Sequence, residues 1–403
     1  MKHIFYLLDG FSPLSLKREF SKIYEKKLKK KNFIDKLSER SVFFKNCYGY
    51  GETYSTVYSM INGKDIYENY CDAPEIHFSF KRHVSLLDFY KNKDFKTIYF
   101  RNAKSHYPIN GFYKRFNESF AKRFDKYCLK KSSPSYNLKD FLLSNNFFKN
   151  YNNNNHNIFY FIHDMSFHDN KNVYDGNVRQ HLKAFEKASK EVKKNLKLIK
   201  NNKFIDTIFF LSDHGLSTKP FNKIHTEKNL NKDKYENYYK NMFLDEKIKF
   251  LFFISSPSVT KQVITQFVEP TNVFKIIKEY NNSKFKTFVY KIKKKLNNKI
   301  VISLKNAKGS GYGNYFLNNI FHFHFLRIDF NGKQIYSHKH KNTYMLEENK
   351  LLKKVNKYKI DRKLRIKINN YYSYKNLIIK SVLLIFSDII VFPSKIIRKL
   401  MKL

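Results

Sequence analysis

Few cysteines, few acidic residues and no tryptophan characterise this 403-residue sequence. The three cysteines, Cys47, Cys71 and Cys128, do not make the disulfide framework of a small secreted domain. No secretory apolar stretch opens the chain, because its first apolar run, residues 3–8, is too short for a signal peptide or a membrane span. These absences predict a reducing, cytoplasmic location.

The scarcity of acids leaves the chain strongly basic, since 34 aspartates and glutamates face 78 lysines and arginines and the net charge is +44. A surface this basic attracts polyanions, namely nucleic acid, anionic lipid or a phosphorylated substrate. The basic residues are spread along the chain without a zinc-finger or RNA-binding signature, which makes dedicated nucleic-acid recognition unfavoured. The 41 phenylalanines and 30 tyrosines exclude a disordered protein, and the length allows a large core.

One apolar segment, Ile208–Leu211, ends abruptly in Ser212, Asp213 and His214. The apolar run predicts a buried strand, and the Asp-His pair then lies where the strand gives way to a loop. In open α/β sheets, ligands bind beyond the carboxyl ends of the strands. A carboxylate beside an imidazole is a common metal-ligand pair, and the imidazole favours Zn, Fe or Mn over Mg or Ca. An ordinary polar turn is the alternative interpretation.

Two other apolar runs also end in an aspartate. Residues 3–8 precede Asp9, and residues 158–162 precede Asp164, with His168 four residues further along. Because the carboxyl ends of parallel strands meet at one edge of a sheet, we expect these aspartates to converge with the Asp-His pair. Such a set offers enough ligands for two metals.

A hydroxyl-rich segment follows a pair of glycines and begins at Thr53. Thr53, Ser55 and Thr56 are each able to cap a helix that would stop at Asn62 and Gly63. A hydroxyl at a helix N-terminus is well placed for an anion, because free backbone N–H groups point at it. Thr53 is therefore either an ordinary N-cap or a nucleophile activated by metal.

The rest of the chain completes an α/β pattern with a mostly parallel central sheet flanked by helices. We predict further strands at 96–101 and 250–254, helices at 175–200 and 270–280, and a charged, solvated stretch at 291–299. Residues 102–150 are polar and aromatic and indicate no particular element; an insertion that shapes the substrate site is compatible with them. From Ile300 the pattern changes to short strands with glycine turns, which predicts a small antiparallel unit.

These patterns divide the chain into a catalytic α/β domain at 1–295, the antiparallel unit at 296–350 and a basic tail at 351–403. The tail contains the nearly apolar segment Leu377–Phe392 with basic residues on both sides. Its length suits an interfacial helix at a membrane surface as well as a terminal helix docked on the core.

Taken together, the motifs resemble those of the alkaline phosphatase superfamily, especially its nucleotide phosphodiesterases, phosphoethanolamine transferases and sulfatases. Leu7–Phe11 is similar to the family's first metal-binding strand end, and Thr53–Lys64 is similar to its nucleophile segment. Ser212–Gly215 is similar to its second metal motif. Asp164 and His168 match an Asp-x-x-x-His pattern of the phosphodiesterase branch. His225 follows His214 at a spacing similar to that of a metal-site histidine in the phosphoethanolamine transferases.

The resemblance implies two divalent metal ions, zinc or else manganese. One ion would be held by four residues, namely Asp9, Thr53, Asp213 and His214. The other would be held by three, namely Asp164, His168 and His225. His163 and Asp169 flank the second set and are interpreted as supporting or exposed residues. A single calcium or magnesium ion, as expected for a sulfatase-like branch, is the alternative.

Thr53 also separates the functional alternatives. In sulfatases a cysteine or serine within a Cys/Ser-x-Pro-x-Arg motif is oxidised to formylglycine. In this chain the residue aligned with that cysteine or serine is Thr53, and the nearby Ser55 lacks the proline and arginine of the motif. We therefore expect a metal-dependent hydrolase or transferase that acts on phosphate esters or diesters through Thr53. One alternative is a sulfuric ester hydrolase acting on an anionic glycan or lipid. The other is a non-catalytic basic protein at the inner face of the membrane, in contact through its C-terminal segment.

Overall fold

An eight-stranded sheet organises the first of the two compact units into which the chain divides. The computed structural model describes residues 1–24, 31–49, 53–64, 85–102, 120–129, 138–144, 157–170, 178–200, 205–215, 248–296, 299–305, 324–330, 333–338, 341–347 and 353–355.

The eight strands of this sheet are mostly parallel. They are β1 (Lys2–Leu8), β2 (Val42–Cys47), β3 (Phe95–Asn102), β4 (Lys126–Leu129), β5 (Asn157–Asp164), β6 (Thr207–Leu211), β7 (Phe252–Ser255) and β8 (Gln262–Val268). Their spatial order is β4-β3-β5-β1-β6-β7-β2-β8, and only β7 runs antiparallel to its neighbours. The predicted fold class is thereby confirmed.

Helices cover both faces of the sheet. They are α1 (Lys17–Tyr24), α2 (Phe33–Glu39), α3 (Thr53–Asn62), α4 (Leu86–Lys91), α5 (Leu138–Ser144), α6 (Val178–Lys200), α7 (Pro270–Asn282) and α8 (Phe285–Lys295), with a 3₁₀ turn at Pro13–Ser15. One layer contains α2, α5 and α6, and α6 contacts both of the others. The other contains α3, α4, α7 and α8, and α7 contacts each of the other three.

Side-chain alternation along β1 assigns its residues to these two layers. Ile4, Tyr6 and Leu8 belong to a core cluster that they share with residues of α6. His3 points the other way, where its ring packs edge-on against Tyr90 of α4, with centroids 5.7 Å apart. Every residue of β1 is buried, as expected for a central strand covered on both faces.

The central strands hold one another in a fixed register that aligns their carboxyl ends. β1 pairs in parallel with β6 from His3↔Thr207 to Leu7↔Leu211. It pairs in parallel with β5 on its other side, from Lys2↔Ile158 to Leu8↔Asp164. The segments that follow β1, β5 and β6 therefore leave the sheet at the same edge.

Several elements differ from the sequence-based expectation. Strand β4 and helix α5 lie within residues 102–150, for which no element was predicted. Helix α8 covers much of the stretch predicted to be charged and solvated, because Phe288 and Ile292, one turn apart, are buried and fix one side of it. Strand β8 was not predicted, since its polar Gln262, Thr265 and Gln266 interrupt the apolar pattern that marks the other strands.

The second compact unit contains a five-stranded antiparallel sheet, as predicted for the C-terminal region. Its strands are β9 (Lys299–Lys305), β10 (His324–Phe330), β11 (Lys333–His338), β12 (Lys341–Glu347) and β13 (Lys353–Val355), in the order β13-β12-β11-β10-β9. The three-part division of the chain stays a prediction, and the apolar segment Leu377–Phe392 lies outside the described residues. Among the helices that are described, none is both long and apolar enough to cross a membrane.

Candidate metal centre

Two buried aspartates lie side by side just beyond the carboxyl ends of neighbouring strands. Asp9 follows β1 directly, and Asp213 lies two residues beyond the end of β6. The β1–β6 register, extended by two positions, places them opposite each other. The backbone N–H of Gly10 donates to Asp213 Oδ1 at 2.9 Å, and Gly10 adopts a φ of 69°, which glycine reaches without strain.

Helix α3 brings the hydroxyl of its first residue, Thr53, to these carboxylates. Thr53 Oγ1 lies 3.4 Å from Asp9 Oδ2 and 3.1 Å from His214 Nε2. The chain passes close to Asp213 before α3 begins, at Gly49. A Cβ atom at Gly49 would lie 3.2 Å from the Asp213 carbonyl oxygen and 3.3 Å from the Thr56 side chain, so this approach favours glycine.

The imidazole of His214 is oriented by the backbone beside it. Its Nδ1 lies 2.8 Å from the carbonyl oxygen of Gly215, which can only accept, so Nδ1 carries the proton of this bond. Nε2 then faces Thr53 and lies 3.3 Å from Asp213 Oδ2. A histidine held in this way presents the Nε2 lone pair to a metal.

The charges of the cluster act on one another strongly because it is buried. Burial opposes the charged form of His214, but the carboxylates of Asp213 and Asp9 outweigh it and raise the pKa of His214 above its ordinary value. Burial likewise opposes the charged form of Asp9, but the hydrogen bond from His163 and the nearby imidazoles hold the pKa of Asp9 well below its usual range. Asp9 is therefore an anion at neutral pH.

The cluster fits a divalent cation. Ligand atoms of Asp9, Asp213 and His214 lie within 4.8 Å of one another. Asp213 Oδ2 is buried, and within the described residues it accepts no hydrogen bond, so a cation would satisfy it. Ligand atoms about 2.0 Å from a tetrahedral zinc ion are about 3.3 Å apart. The separations of 3.1, 3.3 and 3.4 Å among the Thr53, His214, Asp213 and Asp9 atoms match this value.

Asp164 has different partners. Its carboxylate accepts hydrogen bonds from the hydroxyl of Tyr6, from Asn102 Nδ2 at 3.0 Å and from the Ser166 N–H at 2.9 Å. It is paired with Leu8, so it shares the sheet face that packs on α6. Asp9 is one residue further along and points to the opposite face. The structure therefore does not bring Asp164 into the cluster.

His163 takes the position that Asp164 was expected to take. It is paired with Leu7, on the same face as Asp9, and is 5% exposed. Its Nε2 lies 2.8 Å from Asp9 Oδ2, which accepts this hydrogen bond. The sequence analysis treated His163 only as a supporting or exposed residue. Alternation along β5 places His163 and Asp164 on opposite faces, but which of the two joins Asp9 depends on the register of β5 against β1.

His168 lies within electrostatic reach of the cluster. Burial opposes its charged form, but the hydrogen bond and charge of Asp169, with the charges of Asp9 and Asp213, raise the pKa of His168. Its Nδ1 lies 3.5 Å from Asp169 Oδ1. His225, the third predicted ligand of the second metal, lies outside the described residues. The two-metal arrangement stays a prediction.

A comparison with protein families identifies the chain. The family model described as Sulfatase matches residues 15–280, about two thirds of its length. The chain belongs to the sulfatase family. Of the clustered side chains of this sulfatase-family protein, Thr53, Asp213 and His214 lie within the matched range, and Asp9 lies just before it. The family is one of hydrolases and transferases that generally bind a divalent metal.

Solved structures share this fold at low sequence identity. A protein in the alkaline phosphatase superfamily from Vibrio parahaemolyticus is 10% identical, with a TM-score of 0.57 over 93% of this chain and 86% of that one. Ps i-CgsB in complex with k-i-k-neocarrahexaose is 11% identical, with a TM-score of 0.54 over 93% of each chain. The lipoteichoic acid synthase LtaP from Listeria monocytogenes is 12% identical, with a TM-score of 0.51 over 97% and 91%. The superfamily resemblance is confirmed, and no curated protein sequence matches the chain significantly.

Proposed function

We propose that this sulfatase-family protein is a metal-dependent hydrolase or transferase of phosphate esters, including diesters, with Thr53 as its nucleophile. The observation that carries the proposal is the position of the Thr53 hydroxyl, between Asp9 Oδ2 at 3.4 Å and His214 Nε2 at 3.1 Å. A hydroxyl held among a carboxylate, an imidazole and a second buried carboxylate can lose its proton and attack phosphorus.

The residues of the chain have separate roles in this reaction. Asp9, Asp213 and His214, with Thr53, would hold the cation, and a bound divalent cation would lower the pKa of the Thr53 hydroxyl and offset the charge of the ester. Thr53 Oγ forms a bond to phosphorus as its proton passes to solvent, the bond between phosphorus and the leaving oxygen breaks, and the leaving oxygen takes up a proton. The phosphoryl group then stays on Thr53 until water or an acceptor alcohol displaces it. The N–H groups in the first turn of α3 would face the same anion.

The side chain of Thr53 favours phosphate esters over sulfate esters. Formylglycine is an aldehyde made by oxidising the Cβ of cysteine or serine, and the Cβ of threonine carries a methyl group. The same oxidation at Thr53 would give a ketone, so this position does not provide the hydrated aldehyde of sulfate-ester hydrolysis. The proposal therefore uses Thr53 unmodified.

The ligand set favours zinc. An imidazole nitrogen among carboxylate and hydroxyl oxygens suits zinc, or manganese, better than calcium or magnesium. Within the described residues, one complete ligand set is present. A second metal would have to use His168 and His225 without the Asp164 carboxylate, unless that carboxylate leaves Tyr6 and Asn102. We propose one zinc ion for the described cluster.

The substrate we propose is anionic, as the charge of +44 suggests. Among the structures that share the fold, one holds a neocarrahexaose and another is a lipoteichoic acid synthase. A phosphorylated glycan or lipid is therefore the substrate class we favour. A cytoplasmic location, at the inner face of the membrane, stays a prediction.

Metal analysis and turnover together test this function. We expect about one equivalent of zinc by elemental mass spectrometry in the wild type and in Thr53→Ala, and loss of zinc in Asp213→Asn. Asp206→Asn is the matched control, because Asp206 lies at the amino end of the same strand and accepts a hydrogen bond from the Lys2 N–H. Thr53→Ala should lose more than about 100-fold in phosphodiester turnover.

Three results would contradict the proposal. Full phosphodiester turnover in Thr53→Ala would exclude Thr53 as the nucleophile. Zinc that is retained in Asp213→Asn would exclude Asp213 as a zinc ligand. Sulfate esters turned over faster than matched phosphate esters would favour the sulfatase alternative with an unmodified residue.

A further inference from the structure

Helix α6 presents a continuous row of lysines to solvent. Lys183, Lys187, Lys190, Lys194 and Lys197 recur at alternating spacings of four and three residues, and all five are exposed. This spacing places them along one side of the helix. The row is about 21 Å long, because an α-helix rises about 1.5 Å per residue.

Acids on the same helix do little to neutralise this lysine row. Of the two glutamates in α6, only Glu186 is exposed, and it lies 3.4 Å from Lys190 Nζ. Like charges three and four positions apart destabilise a helix. The helix persists because its other side, including Ala188, Val192 and Leu196, is buried in the core. The row thus carries an uncompensated repulsion that a bound polyanion would relieve.

The C-terminal half of the row forms a depression. Lys190, Lys193, Lys194, Lys197 and Leu198 line a shallow cavity of about 520 Å³. The depression is open to solvent, and the ammonium groups of its four lysines attract ions of the opposite sign. This is the part of α6 with the densest positive charge.

The exposed face of α6 offers charge and no other means of recognition. Its phenylalanine, Phe185, is buried, and every exposed residue of α6 except Glu186 is a lysine or arginine. Nucleic-acid bases would find no aromatic side chain to stack on. A membrane would find no fully exposed apolar group to insert, because Leu182 and Leu198 are partly buried. These features favour a linear polyanion that is bound through its charges alone.

The lysine row begins near the carboxyl edge of the sheet, where the metal centre also lies, although α6 packs on the sheet face opposite the Asp9 side chain. β5 and β6 are both parallel to β1, so the helix that connects them runs back from the carboxyl edge. The first turn of α6 confirms this, since the ring of His181 lies 5.7 Å from that of Phe167 and its Nε2 lies 3.0 Å from Ser15 Oγ. Phe167 follows β5, and Ser15 follows β1.

We propose that the lysine row is an exosite for a polymeric substrate, a linear chain with repeated phosphate groups. An ester of this chain is cleaved at the metal centre, while the rest of the chain passes over the carboxyl edge of the sheet and extends for about 20 Å along α6. The proposal rests on the proposed function, because it assigns the substrate class of the same site. It predicts that long substrates bind through the row and short ones do not.

Binding of labelled linear polyphosphate and of labelled heparin, measured by fluorescence anisotropy, tests the exosite without turnover. The test variant is the triple substitution Lys190→Gln, Lys194→Gln and Lys197→Gln. The matched control removes the same charge from the other helix layer, with Lys286→Gln, Lys293→Gln and Lys294→Gln, all exposed on α8. Glutamine has nearly the helix propensity of lysine, so both proteins should fold.

We expect the Kd for polyphosphate to rise about tenfold or more in the row variant and less than about twofold in the control. The slope of log Kd against log salt concentration should fall by about 2, since each lost contact removes about 0.7. For a phosphate polymer that is turned over, KM should rise in the row variant only, while kcat/KM for a small chromogenic phosphodiester is unchanged. A larger response of heparin than of polyphosphate would assign the row to a sulfated chain and contradict the proposal.

Other results would overturn the exosite. If polymer binding weakens equally in the row variant and in the α8 control, the polymer is attracted by the net charge of the protein and not by the row. Row-dependent binding of phosphatidylglycerol vesicles without binding of either polymer would assign the row to a membrane, and tighter binding of single-stranded DNA than of polyphosphate would assign it to nucleic acid. Row-dependent polymer binding without turnover of any ester would support the anion site and contradict the proposed function, so the two failures are distinguishable.

Discussion

Two aspartates at the carboxyl edge of the sheet differ in what satisfies their carboxylates. Both Asp164 and Asp213 are 0% exposed. Asp164 accepts hydrogen bonds from a hydroxyl, an amide and a backbone N–H, whereas Asp213 Oδ2 accepts none within the described part of the chain. A buried carboxylate oxygen without a donor calls for a cation, and a fully hydrogen-bonded one contributes to folding.

Asp164→Asn should therefore lower stability and leave metal binding intact. An asparagine can accept fewer of the three hydrogen bonds and places an N–H group against one of the donors. We expect the free energy of unfolding in urea to fall by about 2 kcal/mol, since hydrogen bonds to charged groups are worth about 1.5–3 kcal/mol. Zinc content should equal that of the wild type. Two metal equivalents in the wild type and one in Asp164→Asn would instead support the prediction of two metals.

At the scale of single residues, the sequence predicted the cluster better than its surroundings. Asp9, Thr53, Asp213 and His214 each follow a strong local signal, either an apolar run that ends in a polar residue or a hydroxyl at a helix start. The faces of Asp164 and His163 depend instead on the register of β5 against β1. A shift of one residue exchanges the two faces, and no local signal fixes that register.

Helix α3 carries Thr53 at one end and is stopped by Gly63 at the other. Gly63 has a φ of +63°, and its N–H donates to the carbonyl oxygen of Ser59 at 2.9 Å. A Cβ atom added here would lie 3.0 Å from Phe274 Cδ1 on α7. This end of the helix is therefore fixed both by its backbone conformation and by its contact with the neighbouring helix.

Gly63→Ala should destabilise the protein without removing the metal. The left-handed conformation costs alanine about 1 kcal/mol, and the approach to Phe274 adds to it, so we expect a loss of about 1–2 kcal/mol in the free energy of unfolding. Zinc content should not change, because Thr53 lies ten positions away at the other end of α3. Lys275→Ala, at an exposed position of α7 next to Phe274, is the control and should change stability by less than about 0.5 kcal/mol. Equal stability of Gly63→Ala and the wild type would contradict this account.

Elements with a strong apolar pattern were predicted, and those with mixed surfaces were not. Helix α7, predicted at 270–280, is observed at Pro270–Asn282, where Pro270 stands in the first turn. Helix α8 buries Phe288 and Ile292, and most of its other residues are polar or charged. Two buried positions are too few to show a helical repeat of apolar residues in the sequence. Strand β8 is half exposed and lacks the continuous apolar run of a central strand.

The whole fold could be inferred only in outline from the sequence. Several apolar runs that alternate with helices predict a mostly parallel sheet. The order of the strands depends on contacts between segments far apart in the chain, such as β2 beside β8 and β7. The antiparallel direction of β7 likewise depends on the path of the chain, because an apolar run such as Phe252–Ser255 predicts a strand without indicating its direction in the sheet.

Two buried histidines, His3 and His181, should make the whole molecule sensitive to acid. Burial lowers the pKa of each from 6.5 to about 4, so the unfolded chain binds more protons than the folded one between these values. The stability contributed by these two histidines is therefore complete above pH 6.5 and decreases as the pH falls to 4, by up to about 3 kcal/mol for each histidine. The pKa values of His168 and His214 are raised, so the stability that these two histidines contribute is lost as the pH rises above 6.5.

Urea unfolding of chelator-treated protein from pH 7.5 to 4 measures the dependence caused by His3 and His181. His181→Gln, whose amide can replace the bond to Ser15, should lose roughly half of it, and an unchanged slope in that variant would exclude His181 as a source.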